Sequence, residues 1–266
     1  MDSVKIKCRA KINLNLKITG KRADGYHDIE SIMQTINLYD ILTISVIDSD
    51  IVEINLDGDS KEIPYDKTNL VYKAAELFLD TLDIKSKTVL IYIGKKIPVS
   101  AGLAGGSADA AGTLFGLNHL FGEPLSEGEL HRLCAELGSD LNVCLKGGCV
   151  KAQGRGEIIT PCEFRDMKIS LIKPLELGIS AKEAYTKFSK KDKQQGQRFK
   201  YVNDLEWALI EDYPQLQYIK EKYPNAVMTG SGSTYFLVND NFDENEQGYW
   251  VMNDIAATKN GVELFV

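Results

Sequence analysis

The sequence predicts an α+β fold, and three observations support this prediction. Apolar and polar residues alternate near the N-terminus, which is the pattern of half-buried strands. Two later segments instead repeat apolar residues at helical spacing, after residue 69 and after residue 109. Beyond about residue 158 the chain mixes both patterns again. We therefore expect two α+β domains, comprising residues 1–157 and 158–266.

Composition and charge exclude several classes of protein. The formal net charge is −7 at a pI near 5.2, which argues against a broad surface for nucleic acid or anionic membrane. The sequence has no apolar run of transmembrane length and no signal-like N-terminus, so we expect a cytoplasmic protein. Five cysteines without a C-x-x-C pair and three scattered histidines make a zinc site or a disulfide framework improbable.

Strands and one helix are predicted in the first hundred residues. Ile12, Leu14, Leu16 and Ile18 alternate with polar residues, which indicates a strand with one core face and one polar face. The runs ILTISVI and DIVEINL suggest a hairpin or neighbouring strands. TNLVYKAAELFLDTL has helical spacing behind a capping Thr or Asn, and KTVLIYIGKKIPV is a further strand.

The elements that follow are read from local signals in the same way. A helical stripe that begins at Ala110 ends at Gly122, and Ser126 with Glu129 forms a capping box for the next helix. Residues 154–157 indicate a hairpin turn, and MKISLIKP is strand-like. Residues 189–200 are polar and rich in basic side chains, which fits either a solvated loop or a mobile cover over a site.

The stretch PVSAGLAGGSADAAG, residues 98–112, contains four glycines and five alanines between a strand and a helix. Free backbone N–H groups and a helix N-terminus at one place suit a phosphate. The stretch matches neither the usual P-loop nor the dinucleotide pattern. Close helix packing is the alternative explanation for its small residues. A second glycine-rich turn, TGSGST at residues 229–234, suggests one polyphosphate held from two sides.

These stretches resemble the GHMP kinases, small-molecule kinases that include galactokinase, homoserine kinase and mevalonate kinase. The similarity rests on AKINLNLKITGKRADGYHDIESIMQTINLYDILTI, IPVSAGLAGGSADAAGTLFGLN, ELGSDLNVCLKGGCVKAQGRGE, NDLE and MTGSGSTYFLV, in that order. The resemblance implies an N-terminal α+β domain and a ferredoxin-like C-terminal domain with the active-site cleft between them. Within the superfamily, the chain is most similar to members that phosphorylate the 2-hydroxyl of a cytidine diphosphate-linked methylerythritol in non-mevalonate isoprenoid synthesis.

The resemblance also implies catalytic residues. Asp140 in GSDLNVCL matches the family's general base, and Lys11 in AKINL matches the lysine that keeps this base ionised and offsets phosphate charge. Without the resemblance, Asp140 would be interpreted as a helix cap and Lys11 as a solvated strand lysine. ATP is the implied co-substrate and Mg²⁺ the implied metal ion.

Binding residues follow from the same match. Tyr26 is expected to stack on cytosine, His27 to hydrogen-bond its polar edge, Tyr185 to stack on the opposite side, and Asn13 to contact the erythritol part. A packed tyrosine in a turn and a core tyrosine on a helix are the alternatives for Tyr26 and Tyr185. The expected ATP-binding residues are Asn69, Lys95, Lys96, Pro98, Val99, Ser100, Ala101, Gly102, Leu103, Ala104, Gly105, Gly106, Ser107, Ala108, Gly230, Ser231 and Gly232.

Departures from the family pattern leave some roles open. Ala108 stands where relatives often have a second serine, so Ser107 would serve Mg²⁺ alone or through water, and the metal ligands stay unassigned. Two other functions remain: a kinase of the same superfamily with another alcohol substrate, or a nucleotide-binding regulator without catalysis. The expected partners are small molecules, with no nucleic acid and no membrane, and the expected state is a monomer or homodimer.

Overall fold

The computed structural model describes residues 2–191 and 202–265. Within these ranges the strands form a seven-stranded and a four-stranded sheet. The strands are β1 (Asp2–Lys21), β2 (His27–Asp48), β3 (Glu53–Gly58), β4 (Lys87–Gly94), β5 (Cys149–Gln153), β6 (Ile158–Pro161), β7 (Lys168–Pro174), β8 (Val227–Met228), β9 (Tyr235–Val238), β10 (Tyr249–Ala256) and β11 (Val262–Leu264). The large sheet has the order β11-β1-β2-β4-β3, and the β5–β6 hairpin attaches to β2.

Helices cover both sheets and confirm the predicted α+β class. Their bounds are α1 (Leu70–Thr81), α2 (Gly105–Leu120), α3 (Glu127–Leu137), α4 (Leu141–Lys146), α5 (Ala181–Lys191), α6 (Asp204–Leu209) and α7 (Pro214–Lys222). Asn69 caps α1 through its side chain, and Ser126 with Glu129 forms the predicted capping box of α3. Among the described helices, none has both the length and the apolar character needed to span a membrane.

The expected pairing of the second and third strands is wrong. β3 does not pair with β2 but lies parallel to β4, which is inserted between them. The burial pattern gives the reason, because β4 buries Val89, Ile91 and Ile93, whereas β3 alternates between exposed and half-buried residues. A strand that buries a continuous apolar face takes the central position, and the more polar strand takes the edge.

The four-stranded sheet has the order β10-β7-β9-β8, with every pair antiparallel. The division of the chain into residues 1–157 and 158–266 stays a prediction. Two strands that follow residue 157 belong to the large sheet, since β6 pairs with β5 and β11 with β1. β11 therefore forms an edge strand of the large sheet, next to β1.

A buried apolar cluster joins the two sheets through the glycine-rich stretch. Ile12 of the large sheet, Leu171 and Phe236 of the small sheet, and Ala101 and Leu103 between them belong to this cluster. Burial of these side chains stabilises the junction. It also fixes the backbone around residue 102 at the boundary between the sheets, where the candidate site lies.

Candidate active site

The polar face of β1 is buried, although alternation alone would leave it in water. The side chains of Lys11 and Asn13 are 3% and 1% exposed. The register of β1 against β2 shifts between Arg9 and Lys11 and again between Asn13 and Asn15, and such bulges re-aim side chains. The backbone N–H of Lys11 donates to the carbonyl oxygen of Leu103 at 3.1 Å, so the glycine-rich stretch covers this face.

Residues 98–104, here called the glycine-rich loop, have the backbone of an anion site. Ser100, Gly102 and Ala104 have φ values of 52°, 73° and 59°. Left-handed residues within a turn orient successive N–H groups toward one side, which is typical of anion-binding nests. Ala104 is the N-cap of α2 without a side-chain cap hydrogen bond, so the first N–H groups of α2 point toward the same place.

The second glycine-rich turn, residues 229–234, lies directly against this loop. A Cβ atom added to Gly102 would lie 2.3 Å from the carbonyl oxygen of Thr229. The Thr229 hydroxyl donates to the carbonyl oxygen of Gly102 at 3.4 Å and accepts from the backbone N–H of Asn13 at 2.9 Å. The absence of side chains thus permits contact between two backbones.

The small residues of α2 itself serve packing, which was the alternative explanation for the stretch. A Cβ on Gly112 would lie 2.2 Å from Sγ of Cys8, and one on Gly116 would lie 2.7 Å from Cδ1 of Ile44. By contrast, nothing lies within 4 Å of the position of a Cβ on Gly106. The stretch therefore combines an open loop and first helical turn with a helix that packs closely on the sheet.

Lys11 and Asp140 form an ion pair at the edge of the glycine-rich loop. The Nζ atom of Lys11 lies 3.3 Å from Oδ2 of Asp140 and donates to Oδ1 of Asn13 at 2.7 Å and to the carbonyl oxygen of Gly102 at 3.3 Å. Asp140 precedes α4, but its side chain makes no capping hydrogen bond. About a third of the Asp140 side chain is exposed, so a carboxylate oxygen is accessible beside a buried ammonium.

Aromatic side chains form a second wall of the site. The ring of His27 stacks on Tyr185 with centroids 5.2 Å apart, and its Nε2 atom lies 2.9 Å from Oγ of Ser189. Burial, together with the nearby Asp140 carboxylate, raises the pKa of Tyr185 well above its usual range. Tyr26 is 55% exposed, and the guanidinium of Arg155 lies 5.1 Å from its ring centroid.

The side chains expected to contact adenine have partners within the protein. Oδ1 of Asn69 accepts from the backbone N–H of Val71, and its Nδ2 donates to the carbonyl oxygen of Pro64. Lys96 is exposed, and its Nζ lies 5.7 Å from the ring centroid of Tyr39. Lys95 has a different environment.

Lys95 lies between two buried carboxylates. Its Nζ donates to Oδ2 of Asp40 and, at 2.9 Å, to Oδ2 of Asp109. Burial opposes protonation of Lys95, but the carboxylates of Asp109 and Asp40 raise its pKa above the usual value. Burial and the neighbouring Asp40 raise the pKa of Asp109 well above its usual range, although Lys95 opposes this.

A cavity of about 1220 Å³ brings most of the predicted residues together. Its walls include Lys11, Asp140, Asn13, the aromatic side chains, the glycine-rich loop and the first three residues of α2, Gly105 to Ser107. Three predicted residues lie outside the described lining. Ala108, in the first turn of α2, is buried in the core. The backbone N–H of Gly232 donates to the carbonyl oxygen of Thr229 within the second glycine-rich turn, and Lys96 points to Tyr39.

Sequence reasoning missed Arg155, Thr229 and Asp40 as site or support residues. Arg155 is a lone basic residue between two turn glycines, and Thr229 opens the second glycine-rich turn, so both carried a signal. Asp40 is an acid within the apolar run INLYDILTI, an anomaly that marks a buried charge. Of the predicted cover at residues 189–200, residues 192–200 lie outside the described residues.

Known proteins resemble this chain over nearly its whole length. Residues 69–148 match the family described as GHMP kinases N terminal domain. The 4-diphosphocytidyl-2-C-methyl-D-erythritol kinase of Clostridium tetani is 42% identical over 256 residues, which cover 88% of this chain and 90% of the relative. The protein of that name in Clostridioides difficile is 41% identical over an alignment of 298 residues, with 99% and 98% covered.

Solved structures agree in fold. A crystal structure of 4-(cytidine 5'-diphospho)-2C-methyl-D-erythritol kinase superposes with a TM-score of 0.74 at 25% identity, covering 96% of this chain and 99% of the other. Homoserine kinase from Cytophaga hutchinsonii also gives 0.74 at 18% identity, covering 100% and 98%, which shows the shared fold. The chain belongs to the 4-diphosphocytidyl-2-C-methyl-D-erythritol kinase family of the GHMP kinases.

Proposed function

We propose that this chain transfers the γ-phosphoryl group of ATP to the 2-hydroxyl of 4-diphosphocytidyl-2-C-methyl-D-erythritol, in non-mevalonate isoprenoid biosynthesis. The names of its relatives support the substrate. The observation that carries the mechanism is the pairing of Lys11 with Asp140 at 3.3 Å, beside the glycine-rich loop.

The triphosphate binds at the glycine-rich loop and the first turn of α2. Backbone N–H groups there have no helical partners, and the helix dipole favours negative charge. The open space at Gly106 leaves room for phosphate oxygens to approach. Ser231 and Gly230, which line the cavity beside Gly102, bound the same region from the second turn.

Asp140 accepts the proton of the 2-hydroxyl as its oxygen forms a bond to the γ-phosphorus, while the bond from that phosphorus to ADP breaks. The Lys11 ammonium pairs with the Asp140 carboxylate and reduces the negative charge of the transferred group. Asn13 and the carbonyl oxygen of Gly102 hold Lys11 in place. Positioning and charge neutralisation therefore come from β1, α4 and the loop together.

The donor set at the loop fits a magnesium ion bound mainly through phosphate. The described residues contain no group of three His, Cys, Asp or Glu side chains that could hold a metal ion by themselves. Mg²⁺ commonly keeps water and phosphate ligands and needs only one or two protein oxygens. The Ser107 hydroxyl, on the cavity wall in the first turn of α2, would supply one, and the ion would offset phosphate charge.

The cytidine part occupies the aromatic wall. Tyr26 offers an exposed face for stacking, and His27 offers ring nitrogens and backbone groups for the polar edge of the base. Tyr185 stays the predicted second stacking side chain for the cytosine and also stacks on His27. Asn13 faces the erythritol part. Arg155, beside Tyr26, adds positive charge at the same end of the cavity.

The remaining assignments are part of the same proposal. Asn69, Lys95 and Lys96 stay predicted ATP-side residues, and residues 1–157 and 158–266 stay the predicted domains. The protein acts in the cytoplasm on small molecules, as a monomer or homodimer. The negative net charge supports the absence of nucleic-acid and membrane partners.

A coupled ADP-release assay tests the function. The cytidine compound, mevalonate and homoserine are supplied separately with ATP and Mg²⁺. Turnover with the cytidine compound alone is expected. Turnover with mevalonate or homoserine instead would show that another alcohol is the substrate. Tight ATP binding without turnover on any of the three compounds would indicate a regulator.

A further inference from the structure

Asp40, Lys95 and Asp109, here called the Lys95 cluster, form a buried charged group at the wall of the cavity, where Lys95 and Asp109 belong to the lining and Asp40 lies behind them. Their side chains are 0%, 8% and 2% exposed. They come from β2, from the segment after β4 and from the second turn of α2. The Lys95 ammonium bridges the two carboxylates, while Oδ1 of Asp109 has no hydrogen-bond partner among the described residues.

The cluster holds both ends of the glycine-rich loop. At the entry, Oδ1 of Asp40 accepts from the backbone N–H groups of Lys96 and Ile97, directly before Pro98. At the exit, the Lys95 ammonium lies against the first turn of α2, because a Cβ on Gly105 would be 2.9 Å from its Nζ. Asp109 then ties α2 to the same ammonium.

Stability alone is a poor explanation for these charges. Replacement of a buried ion pair or triad by apolar side chains of similar volume is often neutral or stabilising, because desolvation offsets the attraction. Asp40 is fully buried and lies outside the described lining of the cavity, so it does not reach a ligand there. Its hydrogen bonds instead fix the position of the loop backbone.

We propose that the Lys95 cluster is a positioning device, in which Asp40, Lys95 and Asp109 hold the glycine-rich loop against the first turn of α2 and so act on the triphosphate through the loop. This inference rests on the proposed function of the loop as the ATP site. It differs from a direct contact between Lys95 and ATP, since it assigns an equal effect to Asp40.

Asp40→Asn removes the charged link between the two ends of the glycine-rich loop. The amide oxygen retains an acceptor for the N–H groups of Lys96 and Ile97, but the charged contact with Lys95 is lost. We expect the Kd of a non-hydrolysable ATP analogue and the KM for ATP to rise about tenfold or more, because small misplacements of binding groups have large effects. The KM for the cytidine compound is expected to change less than about twofold.

The matched control is Arg9→Met with Glu263→Gln, which removes another partly buried ion pair of the large sheet away from the cavity. This control is expected to lower Tm without changing the Kd of the analogue. Lys95→Met, which removes the bridging cation, is expected to raise the Kd of the analogue by a similar factor to Asp40→Asn, because it breaks the same link. An unchanged Kd in folded Asp40→Asn would overturn the proposal.

If Asp40→Asn does not fold, Asp40→Glu takes its place, because it keeps Lys95 and displaces the carboxylate that accepts from Lys96 and Ile97. Weakened analogue binding in folded Asp40→Glu supports the positioning role, and the wild-type Kd overturns it. Analogue binding needs no acceptor alcohol. Failure of the wild type to phosphorylate the cytidine compound would therefore refute the proposed substrate while leaving this measurement interpretable.

Discussion

Gly102 and Gly230 lie back to back across the boundary between the two sheets. A Cβ on Gly230 would lie 2.7 Å from the carbonyl oxygen of Gly102, and one on Gly102 would lie 2.3 Å from the carbonyl oxygen of Thr229. Both glycines have positive φ, at 73° and 54°. The two glycine-rich turns, 127 residues apart at Gly102 and Thr229, are therefore one structural unit.

Gly230→Ala is expected to disturb this unit. The left-handed backbone costs a non-glycine residue about 1–2 kcal/mol, and the contact with Gly102 adds to it. We expect Tm to fall by at least about 2–4 °C per kcal/mol lost, and the Kd of an ATP analogue to rise. Thermal denaturation and titration calorimetry measure both, and unchanged values would show that the turns tolerate separation.

Gly106→Ala tests phosphate binding at the first turn of α2 without disturbing the packing of the helix. A Cβ at residue 106 meets nothing within 4 Å, and φ is not positive there. Replacement of such a glycine by alanine stabilises by about 0.4–1 kcal/mol, so Tm is expected to stay constant or rise. The Kd of an ATP analogue should nevertheless rise about tenfold, because the methyl group occupies the space of a phosphate oxygen.

Unchanged affinity in Gly106→Ala would mean that phosphate does not bind at the first turn of α2. Gly112→Ala is the opposite control. Its Cβ would lie 2.2 Å from Sγ of Cys8, so a lower Tm is expected from steric overlap in the core.

Asp140→Asn tests the general base. The substitution preserves shape but removes the proton acceptor next to Lys11. We expect kcat to fall by about 10² or more, the scale of general base catalysis, with the KM for ATP nearly unchanged. Steady-state kinetics with the cytidine compound measure both constants. Near-normal turnover would remove Asp140 from this role.

Local signals predicted the helices well. The cap of α1 at Asn69, the capping box at Ser126 and the hairpin turn at residues 154–157 depend on neighbours in sequence, and all three are present. The long β2 and the partner of β3 were not predicted correctly. Their pairing depends on which strand buries more apolar surface across the sheet, which sequence-local patterns do not contain.

The candidate site was likewise predictable where motifs define it and not where residues distant in sequence do. Motif similarity identified Lys11, Asp140 and the loop, and most of these residues share one cavity. The environment of Lys95 was not predictable, because its partners Asp40 and Asp109 lie 55 and 14 residues away in sequence. Burial of Asn13 likewise depends on Thr229, which is 216 residues distant.

The ion pair between Arg9 and Glu263 makes the stability of the fold depend on pH. The hydrogen bond from Arg9 lowers the pKa of Glu263 from 4.5 to about 2. A carboxyl with a depressed pKa stabilises the fold fully above its unfolded pKa, and this stabilisation is lost as pH falls from 4.5 toward 2. Glu263→Gln should therefore have a lower Tm than wild type at pH 7, and the difference should shrink by pH 3.

Glu76→Gln, at an exposed glutamate on α1, is the control for the pH series. Its Tm should follow the wild type at each pH. A Tm difference for Glu263→Gln that persists unchanged at pH 3 would show that the ionised form does not carry the stabilisation.

Tyr26→Ala tests the aromatic wall, since stacking of a base on an aromatic side chain contributes about 1–3 kcal/mol. Loss of this contact should raise the KM for the cytidine compound about fivefold or more, while the Kd of an ATP analogue stays within about twofold. Tyr92→Ala is matched, because Tyr92 is 46% exposed, as against 55% for Tyr26, but lies on β4 outside the described cavity lining. Steady-state kinetics should therefore show a KM change for Tyr26→Ala alone. Equal KM values in both variants would indicate that the base binds to the stacked rings of His27 and Tyr185 rather than to Tyr26.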